Sequence, residues 1–320
     1  MSAHALERIC RKVVGECVGL KKGESCLLVR DFETTELHRA LEAAIRSHGG
    51  IPIVASLPET AYVDGLLPTR LETAMKSGDV VLINTREIFP HGPRRSATET
   101  GARLLSMCMV SEGMALRALD VDYDQLSRVT RRAVDLLSRS SEILIRSDAG
   151  TEISMDISDR PVTYFDGLAR EPGKSTGLPA GVVALAPVAN TAEGRVILDG
   201  SIHHMGLLRK PVILTVKKGR IETIEGSDEA EALRSMLGAA DENARCIAEV
   251  GLGTNPKATY TGNLVEDERV SGSGHIGFGR NTHIGGDIES ALHTDATIRK
   301  PSIYLDGETI VKEGRLLVEP

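Results

Sequence analysis

A histidine and an aspartate stand one residue apart in the stretch A-L-H-T-D-A-T-I, residues 291–298. The neighbouring residues predict a strand, and side chains two positions apart on a strand point to the same face. We therefore expect His293 and Asp295 to project together. An imidazole beside a carboxylate can serve as an ion pair, an acid/base couple or two ligands of a metal ion.

Two further polar residues interrupt apolar stretches in the last third of the chain. Glu249 lies within C-I-A-E-V-G-L-G, and His275 lies within G-S-G-H-I-G-F-G. Burial of a charge is costly unless the charge is paired or bound to a cation. If these two side chains converge with His293 and Asp295, they predict a site for divalent Zn, Mn, Fe or Co. The alternative is that each is a separate, satisfied core or rim residue.

Weaker candidates for catalysis lie elsewhere in the chain. His91, in I-F-P-H-G-P-R-R, follows a predicted parallel strand at the sheet edge where open α/β sheets bind ligands, and it could donate a proton there. Arg94 or Arg95 could hold a substrate carboxylate, although a solvated loop histidine and an ordinary helix start are the simpler interpretations. His203 and His204 are adjacent, so one can line a pocket while the other faces away. We predict His91 and His204 as catalytic candidates in addition to His275.

The first half of the chain alternates helix and strand patterns, which predicts βαβ units and an open, doubly wound parallel sheet of the Rossmann-like type. No G-x-G-x-x-G follows the first strand, so no dinucleotide site is expected. The predicted helices cover 4–19, 35–48 and 68–77, and the predicted strands cover 25–30, 51–57, 79–85 and 102–109.

After a helix predicted at 121–139, short strands separated by turn residues predict an α+β domain with a mostly antiparallel sheet. We place the domain boundary near residue 140, with an α/β domain at 1–140 and a metal-binding catalytic domain at 141–320. A further helix is predicted at 227–239. The predicted strands cover 142–147, 152–157, 182–187, 195–200, 212–216 and 220–224.

Composition excludes several classes of function. The 320 residues carry a net charge of −7, no Trp and nine Phe or Tyr, which argues against a nucleic-acid surface. No apolar run approaches the length of a membrane span, and no signal peptide is apparent. The five cysteines are scattered without a C-x-x-C pair, as expected for reduced thiols in a cytoplasmic protein.

An ordered set of motifs in the last third resembles the aminopeptidase T / aminopeptidase S family of metallo-aminopeptidases. The blocks are G-L-G-T-N-P-K-A (251–258), T-G-N-L-V-E-D-E (261–268), G-H-I-G-F-G-R-N (274–281) and A-L-H-T-D (291–295). The resemblance implies a two-metal site and a homodimer. It also implies that the metal ligands include Glu249, His275, His293 and Asp295.

Two positions depart from that family. Where the peptidases carry a glutamate and a tyrosine ligand, this chain has Val182 and Thr282. A valine offers no donor atom, so we expect one tightly held metal per chain. His283 could replace the tyrosine in part.

A distant branch of the same superfamily, 2,5-dihydroxypyridine 5,6-dioxygenase, opens a pyridine ring with O₂ at a single non-haem iron. It shares the H-x-D pair, and Glu249, His293 and Asp295 could form a three-ligand set with open positions. We do not expect that branch to carry a histidine at the H-I position, so His275 favours the hydrolases.

The leading interpretation is therefore a metal-dependent hydrolase resembling aminopeptidase T, which cleaves an amide or peptide bond of a small-molecule or short-peptide substrate with a metal-activated water. His275 would be a fourth ligand or an acid/base group. The alternatives are a mononuclear Fe(II) ring-cleaving dioxygenase and a metal-stabilised binding protein without turnover.

Overall fold

The computed structural model describes residues 2–58 and 67–320, which divide into two compact units. One unit comprises Met1–Ser127 and Phe165–Ala180, and the other comprises Arg128–Tyr164 and Gly181–Pro320. The domain boundary expected near residue 140 stays a prediction.

The first unit contains a five-stranded sheet in which every strand pair is parallel. The strand order is β2-β1-β3-β4-β8. The chain therefore adds β2 on one side of β1 and the later strands on the other side, so the strand order reverses between β1 and β3. This confirms the predicted open parallel sheet. The last strand was not predicted, because three residues give too short a pattern to recognise. The strands are β1 Ser25–Asp31, β2 Ile51–Leu57, β3 Val80–Asn84, β4 Arg103–Ser106 and β8 Ser175–Gly177.

Local signals in the sequence explain where these helices begin and end. The side chain of Thr35 accepts a hydrogen bond from the amide of His38, which caps one helix, and that helix stops before Gly49, whose φ is +75°. His91 begins a helix, at the point where sequence had suggested a solvated loop. The helices are α1 Ser2–Lys12, α2 Glu36–Ser47, α3 Thr69–Ser77, α4 His91–Glu99 and α5 Glu112–Ala118; α6 Tyr123–Ser138 begins in the first unit and continues into the second.

The second unit contains two sheets whose pairings are antiparallel, as predicted. The eight-stranded sheet has the order β14-β13-β10-β6-β5-β18-β19-β20, and the seven-stranded sheet has the order β12-β11-β17-β16-β15-β9-β7. The strands of the first are β5 Glu142–Arg146, β6 Glu152–Asp156, β10 Glu193–Leu198, β13 Val212–Lys217, β14 Arg220–Glu225, β18 Ser302–Leu305, β19 Glu308–Lys312 and β20 Arg315–Leu316. Those of the second are β7 Val162–Phe165, β9 Val182–Leu185, β11 Ser201–Ile202, β12 Gly206–Leu207, β15 Ile247–Gly253, β16 Gly274–Gly279 and β17 His293–Ile298. The helices α7 Asp228–Ala239 and α8 Leu264–Asp267 complete this unit.

Apolar side chains from both antiparallel sheets form one continuous core cluster, which includes Ile153 and Leu214 from one sheet and Val250, Ile276 and Ile298 from the other. Burial of each such side chain stabilises the fold by about 1.5–3 kcal/mol. Side chains alternate along a strand, so the residues between these apolar positions lie on the opposite face of the seven-stranded sheet.

No helix among the described residues is both long enough and apolar enough to cross a membrane.

Candidate metal centre

Strand register aligns the candidate ligands on one face of β15, β16 and β17. Glu249 pairs with Gly277, which in turn pairs with Asp295 on the next strand. His293 lies opposite Gly279 on the same strand pair. His293 and Asp295 therefore share one face of the sheet, as their spacing of two residues predicts. Strand pairing brings Glu249 to the same face, across Gly277.

The glycines on this face leave the space that the ligand side chains occupy. A Cβ at Gly277 would lie 2.3 Å from Asp295 Oδ1 and 2.7 Å from Glu249 Cβ. A Cβ at Gly251 would lie 2.3 Å from His275 Cε1. All three distances are below what real Cβ atoms tolerate, so only glycine permits this arrangement.

The polar atoms of the predicted residues come within a few ångströms of one another. His293 Nε2 lies 3.0 Å from Asp295 Oδ2 and 3.7 Å from Glu249 Oε2. His275 Nε2 lies 3.4 Å from Glu249 Oε1. Glu249 and Asp295 are buried and His275 is completely so. The structure thus brings together all four residues that the sequence proposed as metal ligands; that they bind a metal stays a prediction.

His283 also reaches this cluster. Glu249, His283 and His293 can each present a ligand atom within 4.8 Å of the other two, and the rings of the two histidines have centroids 4.5 Å apart. His283 occupies the short helical turn Thr282–Ile284, after β16. From the sequence, His283 is expected only as a partial substitute for a missing tyrosine, because a loop residue has no strand periodicity that reveals its direction.

Asn281 fixes the loop that carries His283. Its side-chain nitrogen donates to the carbonyl oxygen of Ala248, next to Glu249, at 3.2 Å, and its side-chain oxygen accepts from the amide of Ile288 at 2.8 Å. A Cβ at Gly286 would lie 2.1 Å from the Asn281 side chain, so the loop packs closely there. This buried amide therefore ties the His283 loop to the strand that carries Glu249.

The charges of this cluster depend strongly on one another. Burial opposes the charge of His293, but Asp295 and Glu249 outweigh it and raise the pKa of His293 to about 10. Burial likewise opposes the charge of Asp295, but His293 outweighs it and lowers the pKa of Asp295 to about 2. Burial, followed by the neighbouring His293, lowers the pKa of His283, which favours a neutral ring that can act as a ligand. Without a metal, a proton on His293 balances the carboxylates.

Several buried atoms in the cluster have no hydrogen-bond partner. These are both ring nitrogens of His275, whose approach to Glu249 meets an ion-pair distance but not hydrogen-bond geometry, and Asp295 Oδ1. Buried polar atoms normally find partners. Orphaned acceptors beside carboxylates and imidazoles fit a divalent cation, because these are the donor types that such ions bind.

The two departures from the aminopeptidase family lie on different elements of the second unit. Val182 opens β9 as a buried apolar residue and pairs with Gly253. Thr282 begins the turn that carries His283. The prediction of a single metal per chain stays open.

The remaining candidates have distinct environments. His203 is half-buried near Asp295, and its amide donates to the Asp295 carbonyl oxygen at 3.0 Å. Burial, followed by its neighbour His204, lowers the pKa of His203 to about 4. His204 is exposed, with φ +64°. His91 is exposed in the first unit, and its Nδ1 lies 2.8 Å from a guanidinium nitrogen of Arg94. Catalytic roles for His91, His204 and His275 stay predictions.

Two solved structures share the fold of this chain. The solved structure of wild-type AmpT from Thermus thermophilus is similar, with a TM-score of 0.71 at 18% identity, covering 98% of this chain and 99% of that one. The solved structure of 2,5-dihydroxypyridine dioxygenase from Pseudomonas putida has a TM-score of 0.85 at 23% identity, covering 99% of this chain and 98% of that one.

Sequence comparison identifies the family of the chain. The model of the NicX family, 2,5-dihydroxypyridine 5,6-dioxygenase, matches residues 5–318. A curated 2,5-dihydroxypyridine 5,6-dioxygenase of Pseudomonas putida is 28% identical over 278 residues, which cover 83% of this chain and 77% of that protein. The chain belongs to the 2,5-dihydroxypyridine 5,6-dioxygenase family.

The expectation of a metallo-aminopeptidase-like hydrolase is therefore wrong. The H-I and H-x-D blocks favoured the hydrolases over the departures at Val182 and Thr282. Those departures were the better guide, since the resemblance implied metal ligands of the two-metal hydrolytic site at both positions. The dioxygenase, which was the alternative, is the branch to which the chain belongs.

Proposed function

We propose that this protein is an Fe(II)-dependent dioxygenase that opens the ring of a hydroxylated pyridine. Family membership over residues 5–318 carries the proposal, and the candidate metal centre supports it. The substrate class follows from the name of the family and of the curated relative from Pseudomonas putida.

Glu249, His283 and His293 are the residues that we propose as iron ligands. Two imidazoles and one carboxylate are the donor set of many non-haem Fe(II) oxygenases, in which the remaining positions stay open. Asp295 is the next candidate, because its Oδ2 lies 3.0 Å from His293 Nε2. His275, 3.4 Å from Glu249 Oε1, would orient that carboxylate from the buried side. Bound Fe(II) supplies the one-electron chemistry by which O₂ reacts with an aromatic ring.

The protein contributes position and hydrogen bonding. Because Gly251 and Gly277 carry no side chains, the side chains of the candidate ligands can lie directly against the sheet. Burial lowers the pKa of His203 to about 4, so its imidazole is neutral at neutral pH and can accept a hydrogen bond from a substrate hydroxyl group.

The test is oxygen consumption by metal-substituted forms of the full chain. Protein purified anaerobically is loaded with Fe(II) or with Zn²⁺ and mixed with 2,5-dihydroxypyridine in air-saturated buffer. We expect the Fe(II) form to consume one O₂ per ring opened and the Zn²⁺ form to consume none. Ring loss without oxygen uptake, or no reaction with any hydroxypyridine in the Fe(II) form, would refute the proposal.

A further inference from the structure

A pocket of about 430 Å³ lies in the first unit, at the carboxyl edge of its parallel sheet. Asp31 ends β1 and Asn84 ends β3, and both line the pocket. These two strands flank the point where the strand order reverses. In open α/β sheets, ligands bind in the crevice outside the strand ends at this switch point. The volume falls within the range of small-molecule sites, about 300–1,000 Å³.

The charges of the lining favour a positively charged ligand. Asp31, Glu33 and Glu112 contribute carboxylates, and Arg86 is the lining residue with a guanidinium, so negative charges exceed positive ones. Arg86 also forms an ion pair with Glu33. An excess of carboxylates around a concave pocket attracts cations and repels phosphates.

His38, on the pocket wall, adds no positive charge. Its Nδ1 accepts a hydrogen bond from the amide of Thr35 at 3.1 Å, so the proton of the neutral ring sits on Nε2, which lies 3.3 Å from the Asn84 carbonyl oxygen. Burial lowers the pKa of His38, which keeps the ring neutral.

The arrangement of the carboxylates argues against a bound metal ion. Among the described residues, Asp31, Glu33 and Glu112 do not form a group whose ligand atoms lie within 4.8 Å of one another. A ligand that contacts them must therefore span the pocket. The segment after β1, F-E-T-T, also lacks the glycines of a phosphate-binding turn.

We propose that this pocket binds a small organic cation, such as an aliphatic amine, between Asp31 and Glu112. The carboxylate oxygens of the two residues already accept backbone hydrogen bonds, from the amides of Arg86 and Glu36 respectively, each at 2.8 Å. These bonds hold the carboxylates in place at the pocket. An ammonium group supplies hydrogen-bond donors and a positive charge that offsets the excess of carboxylates.

Calorimetric titration of the metal-loaded full chain with putrescine tests the proposal, with butanediol as the neutral probe of the same length. We expect saturable binding of one putrescine per chain and no binding of butanediol. Asp31→Asn and Glu112→Gln keep an oxygen for the backbone amide but remove the charge. Each should weaken putrescine binding about tenfold or more.

Two controls assign the binding to this pocket. Glu99→Gln removes an exposed carboxylate of the same unit that does not line the pocket, and it should leave the affinity unchanged. Glu249→Gln alters the candidate metal centre and should also leave it unchanged. The proposal is overturned if butanediol binds as well as putrescine or if putrescine does not bind. It is also overturned if both pocket variants keep wild-type affinity, or if Glu249→Gln alone abolishes binding.

Discussion

His293 donates its Nδ1 proton to the carbonyl oxygen of Arg280 at 2.7 Å, since a carbonyl can only accept. This contact leaves Nε2 as the nitrogen that faces Glu249 and Asp295. A backbone partner that fixes the tautomer and ring orientation is the usual arrangement behind a metal-binding histidine.

Loss of either member of the H-x-D pair should abolish metal binding. We expect about one divalent ion per wild-type chain. His293→Ala and Asp295→Ala should each lower that content to near zero while circular dichroism shows a retained fold, since both side chains lie on the sheet face away from the apolar core. His4→Ala, at an exposed position of α1, is the matched control and should keep its metal. Full occupancy in either site variant, measured by elemental analysis, would exclude that residue as a ligand.

Replacement of His283 should weaken metal binding more than replacement of His275. If Glu249, His283 and His293 hold the metal, His283→Ala removes a ligand and should weaken binding by more than about 100-fold. His275→Ala removes a group that orients Glu249 and should weaken binding by about 10–100-fold. Competition with a chelator of known affinity measures both. The opposite order would make His275 the ligand, as the resemblance to aminopeptidase T implied.

The glycine at position 277 should be irreplaceable for metal binding. Gly277→Ala places a methyl group 2.3 Å from Asp295 Oδ1 and 2.7 Å from Glu249 Cβ, so at least one ligand must move. We expect metal affinity to fall at least about tenfold. Gly238→Ala is the control: it lies within α7 with nothing near the added methyl, and it should raise stability by about 0.4–1 kcal/mol. Equal metal affinity in the two variants would show that the close packing around Gly277 does not position the metal ligands.

Metal affinity should rise with pH. The pKa of His293 is raised to about 10 in the metal-free chain, despite burial, by Asp295 and Glu249, so at neutral pH the metal must displace a proton. Affinity should then increase by up to about tenfold per pH unit between pH 7 and 9 and level off near the pKa. Titration with Mn²⁺, followed by the resonance signal of the free ion, measures this. A flat profile would mean that His293 is already neutral before the metal binds.

The face that carries the ligands was predictable from sequence because strand periodicity is a local property. His293 and Asp295 lie two residues apart on β17, and the buried Glu249 and His275 interrupt apolar strands. Their mutual distances depend on strand register across β15, β16 and β17, which no local pattern encodes. The motif resemblance supplied that proximity instead.

His283 and the choice of chemistry were not predictable in the same way. The direction of His283 depends on Asn281, whose side chain bonds Ala248 and Ile288 on distant segments. The choice between hydrolysis and oxygenation depends on which ligands are absent as much as on which are present. Val182 argued against the two-metal hydrolases, but one missing carboxylate does not by itself define an iron site.

The most direct test of the account is the source of the oxygen atoms in the product. The Fe(II)-loaded chain is incubated with 2,5-dihydroxypyridine under isotopically labelled dioxygen in ordinary water, and the ring-opened product is analysed by mass spectrometry. A dioxygenase predicts that both labelled atoms enter the product, and that Glu249→Gln, which weakens the metal centre, reduces the yield in step with its iron content. A product whose added oxygen comes from water would contradict the account.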